Sequence, residues 1–474
     1  MKRLVFCFDG SWDRLSAPNP TNVVITAESI TPITPDGVPQ VIHYDSGVGT
    51  GEHDKWKGGL FGHGLIDKIA DAYTFLAFNY EIGDEIYVFG FSRGAFTARA
   101  FVGLIRQVGI VQRKHASKIA DAIELYQQRK PGDGHNLPTL LQFRAQFSPQ
   151  LCIDRSEDAW RVANCGGYQT GSAAVLRIKY VGVWDTVAAV GVPSDVFFAP
   201  FANRNEQFFD SDLSSLVVSA RHAVAIDEER KTYSPTLWPN FRELNASLGF
   251  HAAATDAPYQ QKWFPGHHRS VGGSYENRGL SDGALIWVLD GAEKMGLVVD
   301  RDPESPLYSL EPNDLAPLQD PEPVNAGIME KLEDRLLRHA PRNNGPTSLE
   351  EVSDSALRRW REPAANLPDA TLYRPAPLAG VAALLAGGAS APMPQSQHPA
   401  TVEVVDKPSA GELYKIVYGD ELRRLALDLY GHADCAQAIV DANATITDPN
   451  RIFIGQIIYL PTMEIAKGSL GAKT

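Results

Sequence analysis

The chain offers one constellation of residue types suited to nucleophilic chemistry. Gly90-Phe91-Ser92-Arg93-Gly94 fits G-x-S-x-G, with a strand pattern at 86–89 before it and a helical pattern after it. A serine hydroxyl on such a strand–turn–helix elbow is raised above the sheet edge. Glycines are needed there because side chains would meet the neighbouring strand and helix. The plainer reading is an ordinary turn with Ser92 as a helix cap. An alcohol is a weak nucleophile until a base takes its proton. An acid and a base are therefore expected downstream, in the order Ser, Asp, His. Asp185 closes the apolar run Ile178–Trp184, where an acid belongs; its bland role is to cap a turn with Thr186. His267 and His268 lie between Phe264-Pro265-Gly266 and Val271-Gly272-Gly273, and a histidine there can swing over Ser92. His222 competes, but in Ala220-Arg221-His222-Ala223-Val224 it is expected on a helix flank in a structural role.

Negative charge developing on a substrate also needs donors. The strand before the loop Asp9-Gly10-Ser11 is Leu4–Phe8, two strands ahead of the elbow strand. The backbone N–H of Arg93 and one from Gly10 or Ser11 are the expected oxyanion hole. Asp9 could instead be a phosphatase-type nucleophile, but the second Asp of that pattern is missing, since position 11 is Ser.

The elements that position these residues alternate. Strand patterns at 4–8, 41–44, 86–89 and 178–183 are interleaved with helical spacing at 22–30, 65–80 and 95–105. This order predicts an α/β fold with a mostly parallel sheet flanked by helices. Residues 213–225 read as a helix, 262–264 lead into Pro265-Gly266-His267-His268 and the loop Gly272-Gly273, and 284–295 read as a helix. Residues 112–175 are polar and irregular, and are expected to be an insertion that could supply a lid. The organisation expected is a catalytic domain over 1–300, an acidic, partly helical extension over 301–373, an Ala/Pro/Gly-rich linker over 374–412 and a compact module over 413–462.

Composition narrows the function. A net charge of −13 disfavours nucleic acid, which needs a basic surface. Cys7, Cys152, Cys165 and Cys435 form no CxxC pair, so no zinc or redox site is expected, and neither metal nor cofactor is required. Cys7 is expected to be a small buried hydrophobe. The N-terminal apolar run ends at Asp9, too short for a signal peptide, and no run reaches the length of a membrane span. Synthesis in the cytoplasm is expected, with export only by a signal-independent route.

Several segments together resemble a known family. They are Phe8-Asp9-Gly10-Ser11-Trp12, Asn19-Pro20-Thr21-Asn22-Val23, Tyr44-Asp45-Ser46-Gly47-Val48-Gly49-Thr50-Gly51, the elbow with Ala95, Gly182-Val183-Trp184-Asp185-Thr186-Val187, Ala220-Arg221-His222-Ala223 and Trp263-Phe264-Pro265-Gly266. The chain resembles, over about residues 1–300, the DUF2235 family, the catalytic domain of Tle1-like type VI secretion phospholipase effectors. The resemblance implies an α/β-hydrolase fold and esterase or phospholipase activity. It also implies Ser92 as nucleophile, Asp185 as acid and His268 as base, and delivery by a type VI-like route. Beside that resemblance, Asp9, His222 and His267 are expected as supporting residues. The family usually shows Ser-Asp-Val-Gly-Gly after the histidine; here Arg269-Ser270-Val271-Gly272-Gly273 stands.

The C-terminal module has its own likeness. Tyr414–Leu422, the helical spacing Leu425, Leu429 and Tyr430, then Ile439–Asn443, Asp448-Pro449, Gly455-Gln456 and Ile457–Pro461 are similar to a LysM domain, a β-α-α-β unit. That likeness implies a peptidoglycan-type glycan ligand, or a docking role toward a secretion-apparatus protein. The expected activity is carboxylic-ester hydrolysis through an acyl-enzyme, on a phospholipid or another ester. The competing expectation is a glycan- or spike-binding adaptor whose hydrolase domain is only a scaffold.

Overall fold

The computed structural model describes residues 1–10, 17–47, 61–128, 134–188, 212–230, 233–251, 254, 256–300, 302–319, 342, 344–387, 404–405, 409–416, 422–443, 446 and 457–468. The chain forms two compact units. One is Met1–Val299 with Asp314–Ala383, the other Asp300–Asn313 with Leu384–Thr474.

The first unit is built on a six-stranded parallel sheet. Its strands are β1 (Arg3–Phe8), β2 (Gln40–Asp45), β3 (Glu85–Phe91), β4 (Ile178–Trp184), β5 (Val217–Ala225) and β6 (Tyr259–Phe264), in the order β2-β1-β3-β4-β5-β6. In register, Phe8 lies beside Gly90, Phe91 beside Trp184, Trp184 beside Ala223 and Ala225 beside Phe264. All the strands therefore finish along one edge, the carboxyl edge where open α/β sheets hold their ligands. Helices α1 (Asn22–Ser29), α2 (Phe61–Asn79) and α3 (Ser92–Val108) fall where the apolar spacing puts them, and α1 is capped by the Thr21 hydroxyl. Leu65, Ile69, Ala72, Tyr73 and Leu76 of α2 bury the predicted stripe. Cys7 is fully buried in β1, as expected.

Four expectations need correction. Residues 217–225 are strand β5, not helix, and His222 sits on that strand. β5 is flanked by β4 and β6 and is buried on nearly every residue, so the alternation that marks a half-exposed strand is absent. The described residues of 112–175 are not irregular but include α4 (Ile119–Gln127), α5 (Pro138–Phe147) and α6 (Arg155–Asn164). Its polar sequence reflects a buried ion triad: Glu157 takes Arg144 at 2.9 Å and Arg161 at 2.6 Å. It is not positioned as a lid. Arg144 donates to the Gln107 carbonyl at 2.6 Å and Ser148 accepts from the Ile110 N–H at 3.1 Å. Both anchors lie at the far end of the 17-residue α3, and a helix of that length spans ~25 Å.

The catalytic unit does not stop near residue 300. Val352 bridges to Trp263, and the Ser353 N–H donates to the Trp263 carbonyl at 3.0 Å, extending β6. The Tyr373 hydroxyl donates to Asp227 at 2.8 Å. Nor does the linker start at 374, because Leu378 and Val381 are fully buried in the same unit. Their small neighbours make an Ala/Pro/Gly-rich stretch look like spacer although Leu378 and Val381 are inside.

In the second unit the described elements run β7 (Leu413–Lys415), α8 (Leu422–Tyr430), α9 (Ala436–Asp441) and β8 (Ile457–Tyr459), with β7 antiparallel to β8. Leu425, Ala426, Tyr430, Ile439 and Ile458 form its core. The turns Tyr418-Gly419-Asp420 and Gly455-Gln456 lie outside the described residues.

Candidate active site

The elbow is strained and tightly packed. Ser92 has φ 59°, in the left-handed region that costs a side-chain-bearing residue about 1–2 kcal/mol. A Cβ on Gly94 would lie 2.3 Å from the carbonyl oxygens of both Phe8 and Asp9, and one on Gly90 would lie 2.7 Å from the Ala95 Cα. The obstacles are backbone, which cannot swing away. These contacts separate the elbow from an ordinary capped turn. Gly94→Ala is accordingly expected to lower stability by about 1–3 kcal/mol or more, read as a lower Tm; an unchanged Tm would contradict this packing.

Three side chains meet above the sheet edge. His268 Nε2 is 2.8 Å from Ser92 Oγ, and His268 Nδ1 is 2.6 Å from Asp185 Oδ2. Ser92 leaves β3, Asp185 leaves β4 and His268 opens the short helix α7 (His268–Gly272) after β6. Asp185, like Ser92, carries a positive φ, of 35°. The imidazole is clamped between the Phe91 ring and the Tyr233 ring, each with centroids 4.7 Å away. Gly272 is required because a Cβ there would sit 1.9 Å from the Phe91 ring. The His268 N–H donates to Glu228 at 3.2 Å, and Glu228 pairs with Arg230 at 2.8 Å. That carboxylate anchors the loop that carries Arg269 and Ser270.

The electrostatics suit a neutral imidazole beside an anion. Burial pushes His268 below its ordinary pKa, while its hydrogen bond to Asp185 and that residue's charge pull the other way. Burial alone would raise Asp185; the Arg342 guanidinium beside it, with His268, holds it well below the usual carboxylate range. Arg342 was not foreseen. It is a lone arginine in a Pro/Asn/Gly-rich stretch, 157 positions from Asp185, and nothing in its spacing marks it.

The other expected residues separate. His267 precedes α7, and its Nδ1 has no hydrogen-bond partner among the described residues; the histidine that reaches Ser92 is His268. His222 Nε2 accepts from the Thr186 N–H at 3.2 Å, while its Nδ1–H faces Gln261 Oε1 at 3.0 Å. Burial first, then Arg99, lower its pKa to about 3, so it stays neutral and braces the backbone next to Asp185. Asp9 is buried and accepts from the Gly10 N–H at 2.7 Å, Thr21 at 2.8 Å and Tyr44 at 2.7 Å. Those bonds fix the loop beneath the elbow. They also engage the Gly10 N–H, so in this conformation that expected oxyanion donor points at Asp9. Arg93 is the second residue of α3, and Ser11 lies outside the described residues. Among the described residues no His, Cys, Asp and Glu group could hold a metal ion.

Residues 2–291 match the family described as T6SS, phospholipase effector Tle1-like, catalytic domain. The chain is similar to the uncharacterized protein YEL023C of Saccharomyces cerevisiae, 27% identical over 244 residues, 48% of this chain and 31% of that one. Among solved structures it is similar to an uncharacterized protein from Pseudomonas aeruginosa, with 16% identity and TM-score 0.34, covering 63% of this chain and 46% of that one. It is also similar to the Tle1 effector bound to the VgrG spike from the type 6 secretion system, with 18% identity and TM-score 0.30, covering 58% of this chain and 51% of that one. The chain thus spans about half the length, or less, of each of these proteins. Its first 300 residues carry an elbow serine, a strand-end aspartate and a loop histidine in that order, and more than half of its length matches one family: the chain belongs to the Tle1-like phospholipase effectors of type VI secretion, through their catalytic domain.

Proposed function

We propose that the chain hydrolyses the carboxylic esters of phospholipids through an acyl-enzyme on Ser92. The observation that carries this reading is the continuous line from Ser92 Oγ through His268 to Asp185, with links of 2.8 and 2.6 Å. His268 Nε2 takes the hydroxyl proton as Ser92 Oγ bonds to the acyl carbon, and Asp185 steadies the imidazolium. The proton then passes to the departing alkoxide, the acyl group stays on Ser92, and water attacks by the reverse route. The Arg93 N–H at the start of α3 is the first oxyanion donor. Gly10 serves as the second only if its bond to Asp9 yields; otherwise Ser11 does.

Family membership supports a lipid substrate and export by a type VI apparatus. Among the described residues no single helix is long and apolar enough to cross a membrane. The solved Tle1 effector is bound to a VgrG spike, which supports a secretion-apparatus protein as partner here. For the second unit, the order β7-α8-α9-β8 supports the LysM-like reading, with peptidoglycan as the glycan to test by sedimentation. The scaffold-only adaptor is disfavoured, because a scaffold has no need of a strained serine hydrogen-bonded to a buried histidine.

Incubating the full chain with phosphatidylcholine and phosphatidylethanolamine vesicles tests the reading. Free fatty acid and lysolipid are expected; phosphate or diacylglycerol without fatty acid would instead revive Asp9 as a phosphatase-type nucleophile. The pH profile adds a second check. Only neutral His268 can accept the serine proton, and burial lowers its pKa. Activity should therefore hold through neutrality and fall with an acid-limb midpoint below about 6.5, the ordinary histidine value; a midpoint above that value would contradict the assignment.

A further inference from the structure

Arg342 lies beyond the 2–291 region that matches the family, yet it is only 8% exposed and reaches the heart of the site. Nη1 donates to Asp185 Oδ1 at 2.7 Å and to the Ala225 carbonyl at 2.6 Å. Nη2 donates to Asp185 Oδ2 at 2.8 Å and to the Tyr233 carbonyl at 2.6 Å. Two planar groups thus meet edge to edge, in the bidentate geometry that only an arginine supplies. With the Ala225 N–H at 2.9 Å also on Oδ1, the carboxylate plane is fixed, and with it the position of Oδ2 behind His268 Nδ1. Through the Tyr233 carbonyl the same guanidinium holds the residue whose ring packs on the imidazole.

We propose that Arg342 is a positioning residue for ester hydrolysis, so that the active site is complete only with this arginine, from outside the family-matched region, seated on Asp185. This rests on the Ser92, His268 and Asp185 reading above. Arg342 keeps Asp185 ionised and oriented, and its charge also moderates the pull of Asp185 on the His268 proton. The other charged groups facing these two are Glu228 and Arg230, which pair with each other beside His268, together with neutral His222 and Arg99 on the Asp185 side. Without Arg342, nothing but the imidazole balances the buried Asp185 charge, so the carboxylate–histidine pair as a whole binds a proton more tightly.

The test compares the full chain with Arg342→Met, Arg342→Lys, Asp185→Asn and the double Arg342→Met/Asp185→Asn variant, using p-nitrophenyl butyrate. Arg342→Met should lower kcat on the order of 10²-fold through misplaced reacting groups. It should also move the acid limb up by about one pH unit. Arg342→Lys should recover part of kcat, having the charge without the fork. In the Asp185→Asn background the Arg342→Met change should cost less than about 3-fold, because its effect runs through Asp185. Equal losses in both backgrounds, or an unmoved acid limb, would overturn the proposal. If the single Met variant does not fold, Arg342→Lys and the pair sharing Asp185→Asn, which has no stranded carboxylate, still decide it. Hydrolysis by wild type that survives Ser92→Ala would defeat the catalytic reading instead.

Discussion

Ser92→Ala is expected to reduce ester hydrolysis by about 10⁴-fold or more, with the fold intact. Removing Oγ deletes the atom that bonds to the acyl carbon, and neighbouring donors alone leave only slow residual turnover. The change should not cost stability. Alanine is no more comfortable than serine at φ 59°, but the lost hydroxyl is bonded to a histidine that would remain held by Asp185. The measurement is kcat/KM on a soluble acyl ester together with Tm. A loss of less than about 10-fold would mean that another nucleophile does the work.

The adjacent histidines give the second large effect. His268→Ala is expected to cost turnover by about 10⁴-fold, because no group remains to take the serine proton. His267→Ala, one residue away, should stay within about 5-fold of wild type, since its Nδ1 makes no hydrogen bond to the described residues. The contrast is sharper than either variant alone, because both substitutions remove an imidazole from the same loop. Loss of activity with His267→Ala and retention with His268→Ala would reverse the assignment.

Much of this site was legible in the sequence, for a physical reason. A nucleophile elbow compresses its requirements into five consecutive residues: a strand must end, a helix must begin, and glycines must stand where backbone passes. The packing at Gly90 and Gly94 bears that out. Asp185 and His268 were harder to read as neighbours of Ser92, because the three meet only through the sheet order. Residue spacing alone left His267 and His268 open; the resemblance implies the second, and His268 is the one whose Nε2 lies 2.8 Å from Ser92 Oγ.

What sequence reading missed has equally physical causes. β5 lacks alternation because both of its faces are covered, so periodicity could not separate it from a helix. The 112–175 segment hides a buried Arg–Glu–Arg triad inside a polar composition, and charge count cannot reveal burial. The extension reads as acidic and only partly helical, and that composition does not show that Val352, Trp360, Leu367 and Tyr373 are buried. Its key contribution is a single guanidinium whose partner lies 157 positions away. Such long-range pairing leaves no local mark.

The central claim is that the hydroxyl at position 92 is made nucleophilic by His268 and Asp185. A fluorophosphonate probe tests it most directly, followed by peptide mapping of the adduct by mass spectrometry. One adduct per chain is expected, on the peptide containing Ser92, formed at neutral pH and absent in His268→Ala. An unlabelled wild-type chain, or an adduct on a different serine, would contradict the account.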